Sequence, residues 1–181
     1  MNICVYGASS DEIDSLYIEK TEELGKQLAL RGIGLVFGAG AQGLMGACAR
    51  GVYSEGGVII GVVPKFFTAD GIRFENCTQT ILTETMRERK KIMEEKSDAF
   101  IVTPGGIGTF DEFFEIFTLQ NLERHTKPIA IYNIKGYYDG ILDTLNKAVK
   151  DKFMKQKTVD RLIVSDDPTE LLDRISEFKY I

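Results

Sequence analysis

The stretch VTPGGIGTFDEFFE, residues 102–115, joins a strand pattern to a helix pattern through three glycines. The residues just before the glycines, 99–103, form a short apolar run that is typical of a buried strand. The residues after them, 109–122, have helical periodicity. Phenylalanines recur there at the i, i+3, i+4, i+7 spacing of a core-facing surface: Phe110, Phe113, Phe114 and Phe117. A strand, a turn and a helix in succession are the building unit of an α/β fold.

The rest of the chain repeats this unit. Short apolar, β-branched runs occupy residues 3–6, 34–37, 58–63, 129–132 and 162–164, and helical patterns occupy residues 16–31, 43–55, 86–96, 137–152 and 169–177. Continuous hydrophobicity is typical of strands that helices cover on both faces. The interval 64–84 holds turn residues such as Asp70 and Gly71, and an extra short strand is predicted at 79–82. The sequence therefore predicts a single Rossmann-like domain, residues 1–181, with a doubly wound parallel sheet and helices on both faces.

Composition restricts the class of partner. The chain has 181 residues, of which 44% are hydrophobic, and a domain of this length buries roughly 70% of its unfolded surface. Its formal net charge is -5 and its pI is about 5.1. Nucleic acid and anionic membranes both require a concentrated positive field, so we expect neither as a partner. A small molecule is the expected ligand.

The cysteines and the N-terminus favour a cytoplasmic location. Cys4, Cys48 and Cys77 are odd in number and far apart, which predicts reduced, buried thiols rather than a disulfide framework or a paired-cysteine zinc site. The first residues lead directly into a strand pattern, with no basic segment followed by an apolar one. No apolar run approaches the length that spans a membrane. We therefore expect a cytoplasmic protein that binds neither membrane nor metal.

The first glycine-rich turn is FGAGAQGLMG, residues 37–46. Gly38, Gly40 and Gly43 have the spacing of a dinucleotide-binding turn, but such a site also needs an acidic residue about 20 positions later, at the end of the next strand. That strand ends in VVPK, residues 62–65, so NAD is not the favoured ligand. Two interpretations remain open: a tight turn for close strand–helix packing, and a contact to a phosphate or ribose.

The second glycine-rich turn is PGGIGT, residues 104–109. Because it leads from a strand into a helix, its amides and the helix dipole can converge on an anion. It lacks the Gly-Lys-Ser/Thr ending with which a Walker loop reaches a triphosphate, so a monophosphate fits better. The structural alternative is a capping box, in which Thr109 caps the helix and Glu112 reaches back to the amide of Thr109.

The segment TETMRERKKIM, residues 83–93, carries a cationic helix pattern. Met86, Arg89, Lys90 and Met93 recur at i, i+3, i+4 and i+7, so two cations share the face that two methionines mark as buried or cleft-lining. A solvated run of charges would keep its cations apart from the methionines. This pattern therefore indicates that Arg89 and Lys90 belong to a site.

Three motifs in this order resemble the LONELY GUY (LOG) family of nucleoside 5′-monophosphate phosphoribohydrolases, which are often mislabelled lysine decarboxylases. The family's PGGxGTxxE pattern is present at residues 104–112, its MxxRK pattern at residues 86–90 and its GLMG turn at residues 43–46. The resemblance implies a Rossmann-like homodimer that hydrolyses the N-glycosidic bond of AMP, or of a cytokinin-type N6-modified AMP. The implied products are the free base and ribose 5-phosphate, and no metal or organic cofactor is implied.

The resemblance also assigns residues by motif position. It implies that Arg89 and Glu112 are the catalytic pair. It implies a phosphate loop made by Gly105, Gly106, Ile107, Gly108 and Thr109. It implies a base and ribose pocket at Met86, Lys90, Ser9, Gly40 and Gly43. The chain departs from the family's usual sequences at three places. Residues 38–46 differ from GGGSxGLMG, residues 7–10 differ from CGSS, and residue 111 is Asp where PGGxGTxEE has Glu. These departures affect which substrate is expected more than which reaction.

The chemistry of these residue types agrees with the implied roles. Cleavage of a ribosyl bond builds positive charge on the sugar, which a fixed carboxylate can stabilise while it aligns water. In the predicted first helical turn, Glu112 is expected to be ionised. Arg89 is expected to hold the phosphate or to orient Glu112. The sole histidine, His125, lies in a turn after the helix and is not expected to act in catalysis.

Two other functions fit parts of the pattern. A lysine decarboxylase would hold pyridoxal phosphate on a lysine, and only Lys90 and Lys91 suggest such a residue. A nucleotide or cofactor carrier could use the same fold without turnover, but a carrier has no need of a carboxylate beside the sugar. Identification of the reaction products distinguishes these alternatives from hydrolysis.

Overall fold

The strands pair in one parallel sheet. The computed structural model describes residues 1–67 and 73–180. The strands in these parts of the chain are β1 (Asn2–Tyr6), β2 (Gly34–Phe37), β3 (Ile59–Pro64), β4 (Gln79–Thr83), β5 (Ala99–Val102), β6 (Ile129–Tyr132) and β7 (Leu162–Ser165). Their order across the sheet is β4-β3-β2-β1-β5-β6-β7, and each neighbouring pair is parallel. The chain thus starts in the middle, winds to one edge, returns and winds to the other.

Helices cover both faces of this sheet. The helices in the described residues are α1 (Ser15–Leu30), α2 (Gly43–Ser54), α3 (Met86–Glu95), α4 (Ile107–Asn121), α5 (Asp139–Lys150), α6 (Gln156–Asp160) and α7 (Pro168–Ser176), with a short 3₁₀ helix at Ile134–Gly136. Apolar residues of α1, α2 and α7 pack on one face, and those of α3, α4 and α5 pack on the other. The strands are buried from both sides, which explains their continuous hydrophobicity.

The doubly wound architecture predicted from the sequence is confirmed. Every predicted strand is present, including the extra strand predicted at 79–82, which is β4. The sequence reading missed α6, a helix of 5 residues that is too short to show periodicity. The turn predicted at Asp70 and Gly71 lies outside the described residues. None of the described helices is long and apolar enough to cross a membrane.

For α4 the structure excludes one of the open alternatives, the capping box, and corrects one prediction, the phenylalanine stripe. This helix begins at Ile107 with Gly106 as its N-cap, and no side chain caps it. Thr109 therefore lies inside the first turn and Glu112 in the second, so the two residues do not form a capping box. The phenylalanine stripe is also only partly core, because Phe113 is fully buried whereas Phe114 is 42% exposed.

The strand order places a ligand site between β1 and β5. The connections after these two strands leave in opposite directions, so a crevice opens beyond their carboxyl ends. The turn after β1 begins at Gly7, and the turn after β5 begins at Thr103. The backbone N–H of Ala8 donates to the carbonyl oxygen of Pro104 at 3.0 Å, which ties the two turns together. The motifs singled out from the sequence meet at this point.

Candidate active site

A cavity of about 500 Å³ opens at the switch point of the sheet. Among the described residues its walls come from the turns after β1 and β2, from α2, from β3 and the turn after it, from the segment before β4, from α3 and from the first two turns of α4. They include Gly7, Ala8, Ser9, Gly38, Ala39, Gly40, Gln42, Met45, Val63, Phe67, Arg73, Met86, Arg89, Gly106, Ile107, Gly108, Thr109 and Glu112. The volume is in the range of small-molecule sites.

Arg89 is held against the floor of this cavity. Its Nε donates to the carbonyl oxygen of Val62 at 3.1 Å, and its Nη1 donates to Glu112 Oε1 at 3.3 Å. A Cβ built on Gly38 would lie 1.7 Å from Arg89 Nη2, so glycine at position 38 gives the guanidinium its room. These contacts hold the guanidinium in place.

Glu112 faces the cavity from the second turn of α4. Its side chain is only 11% exposed. Burial raises the pKa of Glu112 to about 7, while the positive charge of Arg89 acts in the opposite direction. The sequence analysis expected a place in the first helical turn to favour the ionised form, but Glu112 lies in the second turn, further from the positive end of the dipole, and its burial opposes ionisation. Near neutral pH both protonation states of this carboxyl are therefore populated.

Lys90 does not line this cavity, although the sequence analysis placed it in the base and ribose pocket. Its ammonium pairs with Asp111 at 3.0 Å and also with Glu115. Consecutive residues of a helix point about 100° apart, so Lys90 and Arg89 diverge. Lys90 links α3 to α4 behind Glu112, with which it borders a small separate void.

The start of α4 presents amides to the cavity. Gly106, Ile107, Gly108 and Thr109 line it, and no side chain occupies the N-cap position at Gly106. The first amides of a helix have no partner within the helix. A Cβ built on Gly106 or Gly108 would meet no protein atom within 4 Å, so internal packing does not require glycine at either position. A ligand that approaches the backbone closely would require it.

Gly105 and Gly43 lie behind the cavity wall rather than in it. A Cβ on Gly105 would come within 2.1 Å of Thr109 Oγ1. Gly43 has a φ of 60°, and its N–H donates to Asp11 at 2.7 Å. Gly43 therefore makes the tight turn that was one of the two interpretations of the first glycine motif. Gly40 and Ser9, by contrast, do line the cavity.

Arg73 lies in the cavity wall, although no sequence motif pointed to it. Arg73 forms an isolated antiparallel bridge with Gly40, which brings it beside the first glycine turn. It also borders a second cavity of about 400 Å³. Nothing in the sequence signalled this contact, because Arg73 lies in the turn-rich interval without a motif or periodic pattern.

His125 lies away from the cavity. Its Nδ1 accepts the backbone N–H of Lys127 at 3.2 Å, so its Nε2 carries a proton and donates to the carbonyl oxygen of Ile116 at 2.9 Å. Burial lowers the pKa of His125, which keeps the ring neutral. In the described parts of the chain, no three His, Cys, Asp or Glu side chains cluster as metal ligands would.

Fold and cavity together define a Rossmann-like α/β protein with a small-molecule site at its switch point. Residues 45–175 match the family model described as "Possible lysine decarboxylase". The chain is 38% identical to the cytokinin riboside 5′-monophosphate phosphoribohydrolase LOG2 of Arabidopsis thaliana, over 97% of this chain and 83% of that protein. It is 36% identical to the probable phosphoribohydrolase LOGL6 of Oryza sativa subsp. japonica, over 97% of this chain and 70% of that protein. The chain belongs to this family, the LOG family, as the sequence motifs indicated.

Solved structures of more distant proteins share the fold. The Moco carrier protein of Chlamydomonas reinhardtii is 21% identical, with a TM-score of 0.73 over 97% of this chain and 95% of that one. The molybdenum cofactor binding protein of Rippkaea orientalis is 19% identical, with a TM-score of 0.71 over 97% of this chain and 94% of that one. At this level of identity the likeness concerns the fold alone.

Proposed function

We propose that this protein hydrolyses the N-glycosidic bond of a nucleoside 5′-monophosphate, either AMP or an N6-modified, cytokinin-type AMP. The products are the free base and ribose 5-phosphate. The observation that carries this proposal is the buried Arg89–Glu112 pair in the same cavity as the uncapped start of α4. The names of the plant relatives, which are phosphoribohydrolases, support the same reaction class.

The phosphate binds at the start of α4 in this proposal. Gly106, Ile107, Gly108 and Thr109 supply backbone amides at the positive end of the helix dipole, where a dianionic phosphate is stabilised. Gly105 does not line the cavity and contributes by shaping the turn. Phosphate binding energy then positions the sugar for reaction.

Glu112 acts on the sugar. As the bond to the base breaks, positive charge develops on the ribose, and an ionised Glu112 beside it stabilises that charge and aligns the attacking water. Arg89 holds the carboxylate in place through its contacts to Val62 and Glu112. The positive charge of Arg89 also favours the ionised form of Glu112.

The base lies toward the more apolar part of the cavity. Met86, Ser9 and Gly40 are the members of the expected base and ribose pocket that line it, and Phe67 adds an aromatic wall. We assign Lys90 and Gly43 to the support of this pocket rather than to ligand contact. Met86 is 39% exposed, as suits a side chain at a cavity mouth.

The decisive experiment is product analysis. The pure protein is incubated with AMP, isopentenyl-AMP and adenosine, and free base and ribose 5-phosphate are quantified. We expect both monophosphates to be cleaved, and adenosine to be cleaved at least about a hundredfold more slowly, because the phosphate positions the sugar. Tight binding of AMP with no released base would instead identify a nucleotide carrier.

We further propose that residues 1–181 act as one cytoplasmic domain that forms a homodimer. Two apolar side chains seven residues apart on α4 are exposed, Ile107 by 85% and Phe114 by 42%, so they share one face of the helix. A stable dimer buries about 1,600 Å² in total. Light scattering at micromolar concentration should give twice the chain mass of 20.2 kDa. A mass of one chain would contradict the dimer without affecting the proposed reaction.

A further inference from the structure

Two consecutive tyrosines bind the turn that leads into α4. The Tyr137 hydroxyl donates to the carbonyl oxygen of Gly105 at 2.7 Å. The Tyr138 hydroxyl donates to the carbonyl oxygen of Thr103 at 2.8 Å. Both tyrosines follow the 3₁₀ helix after β6, so an adjacent strand connection supports the turn. The sequence motifs gave no role to either residue.

The geometry of the peptide bond makes the Tyr137 contact directional. In a trans peptide, the C=O of one residue and the N–H of the next point in opposite directions. Tyr137 holds the C=O of Gly105, so the N–H of Gly106 points away from Tyr137. Gly106 lines the cavity whereas Tyr137 is not among its lining residues, and this arrangement is the basis for inferring that the N–H faces the cavity. Glycine on both sides of the Gly105–Gly106 peptide permits other orientations of it, so loss of this hydroxyl is expected to loosen its orientation.

The Tyr137 ring is itself held in place. It makes edge contacts with Tyr17 at 6.2 Å and with Tyr138 at 5.1 Å between ring centroids. Lys135 lies 5.7 Å above the Tyr17 ring and pairs with Asp14 at 2.8 Å. The hydroxyl therefore reaches Gly105 from a packed aromatic cluster.

We propose that Tyr137 is a positioning residue for the phosphate. It orients the Gly106 amide toward the ligand without touching the ligand, and this inference rests on the phosphate loop of the proposed function. Because Tyr137 acts on phosphate recognition alone, its hydroxyl matters for monophosphates and for ribose 5-phosphate but not for nucleosides.

Tyr138 provides a matched control. Its hydroxyl makes a hydrogen bond of nearly the same length to the same turn. The residue that follows Thr103 is Pro104, which has no N–H to orient. Tyr138 is fully buried whereas Tyr137 is 43% exposed, so Tyr138→Phe removes the more buried of the two hydrogen bonds to the turn without releasing an amide that faces the ligand.

The experiment compares wild type, Tyr137→Phe and Tyr138→Phe by calorimetric titration with ribose 5-phosphate and with adenosine. We expect Tyr137→Phe to weaken ribose 5-phosphate binding by about tenfold, the effect of losing one well-oriented hydrogen bond to a charged group. Adenosine binding should change by less than about twofold. Tyr138→Phe should lower the melting temperature while both affinities stay within about twofold of wild type.

The comparison of the two variants distinguishes a positioning role of Tyr137 from a purely structural role. It also tests that role independently of whether the protein hydrolyses AMP. Equal loss in both variants, or ribose 5-phosphate binding in Tyr137→Phe within twofold of wild type, would overturn the positioning role. No binding of ribose 5-phosphate by wild type would overturn it as well. If wild type binds ribose 5-phosphate but does not cleave AMP, the proposed reaction fails, and the effect of Tyr137→Phe on that binding still decides this inference.

Discussion

The guanidinium of Arg89 lies 3.3 Å from the carboxylate of Glu112 and also donates to the carbonyl oxygen of Val62. The side chains are 10% and 11% exposed, so the pair is largely shielded from solvent. Burial raises the pKa of Glu112 to about 7 even beside this cation. The arrangement therefore has a fixed geometry and a proton equilibrium poised near neutral pH.

Glu112→Gln tests the role of the carboxylate charge. Glutamine keeps the shape but cannot ionise, so we expect kcat for AMP to fall by about a hundredfold or more, while AMP affinity changes little. In wild type, kcat should rise with pH through about 7, because the ionised form is the active one. The phosphate of AMP also titrates, near pH 6, and its ionisation still affects kcat in Glu112→Gln. A rise of kcat with pH that is present in wild type and absent from the variant therefore belongs to Glu112. Turnover close to wild type in the variant would show that the charge has no catalytic role.

The same substitution should have a pH-dependent effect on stability. The pKa of Glu112 is raised from 4.5 to about 7 on folding. Between these values the folded protein holds more protons than the unfolded chain, so the free energy of unfolding falls as pH rises through this window. Relative to Glu112→Gln, wild type should therefore lose roughly 3 kcal/mol between pH 4 and pH 8. Urea unfolding of both proteins at several pH values measures this difference, and parallel stability curves would show that Glu112 titrates normally.

Arg89 should act as a unit with Glu112. Arg89→Ala removes the charge that opposes the rise in the pKa of Glu112, so the ascending limb of kcat should move to higher pH and turnover at pH 7 should fall by about a hundredfold. Arg89→Lys should also be impaired, because a single ammonium cannot reproduce the guanidinium contacts to both Val62 and Glu112.

The double variant Arg89→Ala, Glu112→Gln checks that interdependence. If the two residues act together, the double variant should be little slower than the slower single variant. Losses that multiply in the double variant would mean that Arg89 contributes separately, through direct contact with the phosphate.

The structure brings Arg89 and Glu112 together because both residues lie in regular helices that flank the switch point, and their catalytic role stays a prediction. Continuous apolar runs predicted the strands of a parallel sheet. Helical periodicity predicted that Arg89 lies on the same helix face as Met93, and both residues are buried. The prediction of the Glu112 environment failed for a local reason. Gly106 is the N-cap of α4, three residues before the Thr109 pattern suggested, so Glu112 lies about five-sixths of a turn further into the helix. Its side chain is also largely buried there.

Other parts of the site depend on contacts that no local pattern encodes. Arg73 reaches the cavity through a backbone bridge to Gly40, and Tyr137 reaches Gly105 from the connection after β6. Such contacts are fixed only when the strand order is known, because they join segments that are distant along the chain. For Lys90 the motif was recognised from the sequence, but the orientation of its side chain was not, because that orientation depends on acidic partners on α4.

The last prediction concerns Gly108, where ligand binding and stability should respond in opposite directions. A Cβ at Gly108 would meet no protein atom within 4 Å, and alanine is a better helix former than glycine by up to about 1 kcal/mol. Gly108→Ala should therefore raise the melting temperature. Its methyl group should also keep a phosphate away from the α4 amides and weaken ribose 5-phosphate binding by about tenfold.

Gly140→Ala is the matched control for this substitution. Gly140 is likewise the second residue of its helix, α5, and a Cβ there also meets no protein atom within 4 Å. It lies outside the residues that line the cavity. We expect the same gain in melting temperature with unchanged ribose 5-phosphate affinity, because only the helix propensity differs from wild type. Equal affinities in the two variants would place the phosphate elsewhere than at the start of α4. A selective loss in Gly108→Ala, in a protein more stable than wild type, would tie that loss to the ligand rather than to the fold.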